Sequence, residues 1–139
     1  MAHILVAEDD SNIRTIIASI LECQGHSIHE AADGIEAFSL AQKESYDLLV
    51  TDIGMPEKDG IELITDLRKL MPDLTILAIS AGGICSAGHY LDQAIECGAN
   101  QTLRKPFSRQ QLINAVDTLL MKAIPSTQNL DGTDKGKTS

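Results

Sequence analysis

The chain has 139 residues, and its 11 Lys plus Arg against 20 Asp plus Glu give a formal net charge of −9 at pH 7. That length fits one domain with a single core, and the acidic balance argues against a surface that binds nucleic acid or an anionic membrane. No apolar run approaches the ~18 residues of a membrane span, and the N-terminus lacks a basic region followed by a long apolar segment and a cleavage site, so a cytoplasmic protein is expected.

In chain order, "HILVA" at 3–7 reads as a first buried strand, with Glu8, Asp9 and Asp10 directly behind it. Like charges crowded there repel by about 4 kcal/mol per close pair at an effective dielectric of about 20, so the cluster needs a partner of opposite sign. Ile13, Ile16, Ile17, Ile20 and Leu21 form one apolar helical stripe, with Ser11 as the expected cap and Gly25 as the stop. "SIHEA" at 27–31 is the second strand, and a weaker helix from 34 to 45 starts at Asp33 and Gly34. The third strand, "DLLVT" at 47–51, leads into Asp52; Asp59 and Gly60 then read as a turn and helix start before Leu63, Leu67, Leu70 and Met71.

The fourth strand, "LTILAI" at 74–79, ends at Ser80. The glycine-rich "AGGICSAG" follows, then a weak helix near 88–97 that Gly98 stops. "QTL" at 101–103 is the fifth strand, followed by Lys105 and Pro106 and by a last helix carrying Leu112, Val116, Leu119 and Leu120, capped by Ser108. From Pro125 onward there is one large apolar residue, Leu130, too little to offset ordering entropy. The expected organisation is a domain over 1–124 and a disordered tail over 125–139, with no room for an output domain.

Strands alternating with helices mean an α/β fold with a parallel sheet covered on both faces. Ligands of such sheets bind beyond the carboxyl ends of the strands, where the strand order reverses; in the common doubly wound order 2-1-3-4-5 that point lies between strands one and three. Glu8, Asp9, Asp10, Asp52, Ser80 and Lys105 would then share one edge. Several carboxylates facing one crevice call for a cation, and oxygen ligands at few, rigid positions suit Mg²⁺. Ser80 adds a hydroxyl and Lys105 an ammonium, a set fit to hold a phosphoryl group in transfer to a carboxylate.

"ILVAEDD", "VTDIGMPEKDG", "AISA" and "LRKPF", in this order across residues 3–123, resemble the receiver domain of two-component response regulators. The resemblance implies a flavodoxin-like (βα)5 fold and phosphoryl transfer to Asp52 from a histidine kinase or a histidine phosphotransfer protein. It further implies Mg²⁺ held by Glu8, Asp9, Asp52 and the Gly54 backbone carbonyl, with Ser80 and Lys105 on the phosphoryl oxygens. Asp10 is a helix-start residue in this reading, and the Lys105–Pro106 bond is expected to be cis. Output is expected through contact of a target protein with the surface formed by the fourth predicted helix, the fifth strand and the last helix. Neither turnover as an enzyme nor binding to nucleic acid or membrane is expected.

Three departures stand beside these matches. Thr102 occupies a position where receivers commonly carry Tyr or Phe, and the loop after the fourth strand is about three residues longer than usual, with Gly82, Gly83 and Gly88 making it mobile. Gly54 takes the place of a larger side chain, which leaves the phosphoryl group open to water and predicts a short-lived phosphorylated state. Cys23, Cys85 and Cys97 read as small apolar filler, Met55 and Pro56 as loop-shaping residues, and His3, His26, His29 and His89 as surface or strand residues rather than metal ligands or phosphate carriers.

Three other functions fit parts of the pattern. An aspartate-nucleophile phosphatase of the haloacid-dehalogenase type needs its nucleophile after the first strand, where Glu8 stands instead of Asp. A flavodoxin-like electron carrier needs a phosphate-binding loop there, which three acids would oppose. A receiver-like scaffold that never takes phosphate shares the fold, although every residue that the chemistry needs is present.

Overall fold

The computed structural model describes residues 2–54, 60–80, 95 and 98–123. Its elements, in chain order, are β1 (His3–Ala7), α1 (Ser11–Cys23), β2 (Ser27–Ala31), α2 (Gly34–Lys43), β3 (Leu48–Asp52), α3 (Gly60–Leu70), β4 (Thr75–Ser80), β5 (Gln101–Arg104) and α4 (Arg109–Ala123). The five strands are parallel, in the order β2-β1-β3-β4-β5, which is the flavodoxin-like doubly wound arrangement.

The period-2 alternation of each strand sends its residues to two separate cores. Leu5, Ala7, Leu49, Ile76 and Ala78 pack under α2 and α3, joined by Ala37, Ala41, Leu63, Ile64 and Leu67. Ile4, Val6, Leu48, Val50, Leu77 and Ile79 pack on the opposite face under α1 and α4, with Ile17, Leu21, Leu112, Val116 and Leu119. Every residue of β3 and β4 is buried, as expected of central strands covered on both sides.

The helix ends show which local signals won. Asp10, not Ser11, caps α1: its Oδ1 accepts from the backbone N–H groups of Asn12 at 2.9 Å and Ile13 at 3.2 Å, and Ser11 is already the first helical residue. Asp33 caps α2 through the Glu36 N–H. Ser108 and Gln111 form a reciprocal capping box on α4, the Ser108 Oγ accepting from the Gln111 N–H and the Gln111 side chain from the Ser108 N–H. Gly25 and Gly98 carry positive φ values of 92° and 128° at the expected stops.

Several expectations shift. The third and fourth strands start one residue later than their apolar runs suggest, at Leu48 and Thr75, and end at Asp52 and Ser80 as expected. Ile16 and Leu70 are 55% and 56% exposed: the stripes that bury are narrower than the apolar patterns, and these two side chains lie on the flanks. Cys23 is exposed at the end of α1, so it is not core filler. The expectations for Met55, Pro56, Asp59, the loop after β4, Cys85, Cys97, His89 and the tail from Pro125 lie outside the described residues, as does most of the helix near 88–97. Among the described residues, no helix is long and apolar enough to cross a membrane.

Gly60 has a sharper role than a turn. A Cβ there would fall onto the Asp52 carbonyl oxygen and the Ile53 Cα, and the Gly60 N–H donates to the Ile53 carbonyl at 3.1 Å. The start of α3 therefore lies directly on the backbone of the β3 end. Gly60→Ala is expected to lower stability by about 1–3 kcal/mol in urea unfolding, because backbone rather than a flexible side chain must give way.

Candidate functional site

The strand register aligns the carboxyl ends that carry the candidate residues. Ala7 pairs with Thr51, Asp52 with Ile79, and Ser80 with Arg104, so the residues just beyond β1, β3, β4 and β5 meet at one edge. The Lys105 N–H donates to the Ser80 carbonyl at 2.7 Å, which carries the β5 alignment one residue further, and the Lys105–Pro106 bond is cis.

Glu8 is the most deeply buried acid of the site, 1% exposed. Its backbone is held twice: the Glu8 N–H donates to the Ala31 carbonyl at 3.1 Å, and the Arg14 guanidinium donates to the Glu8 carbonyl at 2.7 Å. Its carboxylate accepts from the Lys105 ammonium at 2.8 Å on one oxygen and from the Asp10 N–H at 3.2 Å on the other. Asp52, also buried, brings its Oδ1 within 3.5 Å of the same ammonium. Asp9 is exposed at the rim, and one carboxylate oxygen each from Glu8, Asp9 and Asp52 lie within 4.8 Å of one another.

The charges explain one another. Burial pushes the Glu8 carboxyl above its ordinary range and the negative charge of Asp52 pushes it further, against the hydrogen bond from Lys105. Asp52 is raised in the same way, by burial first and then by the charge of Asp9, while Lys105 and the Gly54 backbone hold it down. For Lys105, burial favours the neutral amine, but the hydrogen bond to Glu8 and the charges of Asp52 and Glu8 together outweigh burial and raise its pKa. A single ammonium thus lies between two buried carboxylates and offsets their charge only in part, with Asp9 exposed at the opening.

Of the residues expected at this edge, Glu8, Asp9, Asp52 and Lys105 are brought into one cluster. Ser80 is buried at the end of β4, and Gly54 is exposed just past β3 with open space where a side chain would stand. Asp10 is occupied as the α1 cap. Arg14 and Gly60 were not legible as parts of the site, since one acts on a carbonyl and the other through the absence of a side chain.

The model of the response regulator receiver domain matches residues 4–117. The chain belongs to the response regulator receiver family. As a receiver it is 34% identical, over 88% of its length, to the response regulator receiver protein CpdR of Brucella abortus, which it covers completely. It is 33% identical over 89% of its length to the DNA-binding transcriptional regulator NtrC of Azospirillum brasilense, but spans only 25% of that protein. It also spans half of the transcriptional regulatory protein SrrA of Staphylococcus aureus, at 32% identity. Among solved structures, the receiver domain of the Francisella response regulator 1452 superposes with a TM-score of 0.79 at 33% identity, covering 88% of this chain and 98% of that one. The chemotaxis response regulator CheY4 of Vibrio cholerae gives 0.78 at 27% identity, with 86% and 98% covered. The receiver fold is therefore common ground for sequence, structure and family, and in this chain an acidic cluster sits at the reversal of strand order.

Proposed function

We propose that this receiver is a phosphorylation-dependent signalling module in which Asp52 accepts a phosphoryl group from a phosphohistidine of a histidine kinase or phosphotransfer protein. The observation that carries the reading is the Asp52 carboxylate, buried at the end of β3 within reach of one ammonium and two further carboxylates. An Asp52 oxygen attacks phosphorus, the phosphorus–nitrogen bond breaks, and its electron pair leaves on the donor imidazole. Lys105, now on Glu8 and Asp52, would turn its ammonium to a phosphoryl oxygen, and Ser80 would donate its hydroxyl.

The donor set fits Mg²⁺: it is all oxygen, comes from three carboxylates within 4.8 Å, and sits on strand ends fixed by backbone hydrogen bonds. Glu8, Asp9 and Asp52 would hold the ion, with the Gly54 carbonyl as the further protein ligand. When bound, the ion supplies positive charge to the carboxylates and to phosphoryl oxygens. Glu8 orients Lys105, and Asp9, exposed at the rim, would turn toward a cation. The haloacid-dehalogenase reading is disfavoured because its nucleophile position holds Glu8, whose carboxylate accepts from the Lys105 ammonium and the Asp10 N–H, while Asp10 serves as the α1 cap.

The domain would extend over 1–124, in the cytoplasm, with output by contact of a target protein with the surface of the fourth predicted helix, β5 and α4. Incubation with acetyl phosphate tests the function: the intact mass should gain one phosphoryl group with Mg²⁺ and none after chelation. No adduct under either condition would remove the reading.

Gly54 governs lifetime in the same account. Because a Cβ there meets nothing within 4 Å, Gly54→Met should fold normally and shield the phosphoryl group from water. Its phosphorylated form should decay about 3- to 10-fold more slowly than wild type, since excluding the attacking water removes a reactant from the site. Equal decay rates would return the short lifetime to some other cause.

A further inference from the structure

A second polar cluster lies at the opposite, amino-terminal edge of the sheet. His3 on β1 and His29 on β2 have the same parity in the β1–β2 register, where His3 pairs with Ser27 and Leu5 with His29, so both imidazoles fall on the α2 face. The chain returning from α2 to β3 lays Glu44 and Tyr46 over them. One Glu44 carboxylate oxygen is 4.0 Å from His3 Nε2, and the other is 3.5 Å from His29 Nδ1, which also meets the Tyr46 hydroxyl at 2.8 Å. The three rings stand edge-on or tilted to one another, with the His3 and His29 centroids 4.7 Å apart.

One atom in this cluster lacks a hydrogen bond. His3 Nε2 is buried from solvent and makes no hydrogen bond, the one such side-chain atom among the described residues. The backbone on either side of it is fixed, since the His3 N–H donates to the Asp47 carboxylate at 2.8 Å and the Asp47 N–H to the His3 carbonyl at 2.7 Å. A buried ring nitrogen left without a hydrogen bond is costly, and the nearest carboxylate oxygen, at 4.0 Å, is too far to make one. A cation would satisfy both.

We propose that His3, His29 and Glu44 form a binding site for a borderline divalent transition-metal ion of the Zn²⁺ class, separate from the acidic site at the other edge. The donor set is two imidazole nitrogens and one carboxylate oxygen, all within 4.8 Å of one another. That composition suits Zn²⁺ with a water in the fourth position and discriminates against Mg²⁺, which prefers oxygen alone. Coordination at about 2.0–2.2 Å needs the donors to draw closer by roughly an ångström. The half-exposed Glu44 and His29 side chains have the freedom to move, while His3 stays anchored. His29 Nδ1 would exchange the Tyr46 hydroxyl for the metal. The ion would tie β1, β2 and the α2–β3 connection together.

Zn²⁺ is titrated into the untagged full chain in millimolar Mg²⁺ at neutral pH, in wild type and in an Asp9→Asn/Asp52→Asn background that removes the acidic site. Calorimetry gives the stoichiometry, and the imidazole ¹⁵N resonances report the ligands. One Zn²⁺ per chain should bind in both backgrounds, moving His3 and His29 but not His26. Glu44→Gln, an exposed change that spares the fold, and His29→Gln should each weaken binding by more than about tenfold. Zn²⁺ that leaves the His3 and His29 resonances in place, or that binds these variants as tightly as their parent, would overturn the assignment.

Discussion

Lys105→Ala is expected to slow phosphoryl acceptance from acetyl phosphate by about 10²- to 10³-fold, the usual loss when a positioned donor to a developing charge is removed. The same change should destabilise the metal-free protein by about 3 kcal/mol, because it leaves Glu8, 1% exposed, and Asp52 facing one another without the Lys105 ammonium between them. The cost stays at the low end for a broken buried pair because Glu8, whose carboxyl is already raised by burial, can escape by taking up a proton. Mg²⁺ should restore part of the stability but not the rate, since the ion replaces the charge of Lys105 without replacing its hydrogen bond to a phosphoryl oxygen. Urea unfolding with and without Mg²⁺, beside single-turnover phosphorylation, separates the two effects. Wild-type rates in the variant would remove Lys105 from the chemistry.

Asp52→Asn is expected to do the opposite to stability while abolishing phosphorylation. The folded pKa of Asp52 is raised above its unfolded value, by burial first and then by the charge of Asp9. A carboxyl raised in the folded state opposes folding wherever it is ionised, so the penalty is complete at neutral pH. It disappears as the pH falls through the folded pKa toward the ordinary carboxylate range. Metal-free Asp52→Asn should therefore exceed wild type by on the order of 1 kcal/mol at pH 7. The gap should close on acidification, where wild-type Asp52 is also neutral, and shrink on saturation with Mg²⁺, which binds wild type better. A variant less stable than wild type at neutral pH would show that Asp52 is held by contacts stronger than the repulsion it suffers.

Much of the fold was legible because strands and their ends carry simple signals. Five apolar segments alternating with helical stripes lead to a parallel sheet, and the rule that chemistry gathers at carboxyl ends, where the order reverses, brings Glu8, Asp52, Ser80 and Lys105 to one edge. The cap of α1 was misplaced because Asp10 and Ser11 are both good capping residues, and only the backbone at Asp10, with φ −78° and ψ 112°, decides between them. Ile16 shows the limit of helical periodicity, which marks an apolar face without fixing its width.

What was not legible depends on contacts between distant backbone and side-chain atoms. The Arg14 grip on the Glu8 carbonyl and the seat of Gly60 on the Asp52–Ile53 backbone leave no periodic or compositional trace. His3, His29 and Glu44 come together only through strand parity, the β1–β2 register and the path of the chain after α2. No spacing in the sequence marks the three as neighbours.

Intact-mass analysis of wild type and Asp52→Asn after incubation with acetyl phosphate and Mg²⁺ tests the central claim most directly. Wild type should gain the mass of one phosphoryl group, reversed on standing, and Asp52→Asn should gain none. An adduct that persists in Asp52→Asn would place the acceptor elsewhere and contradict the account.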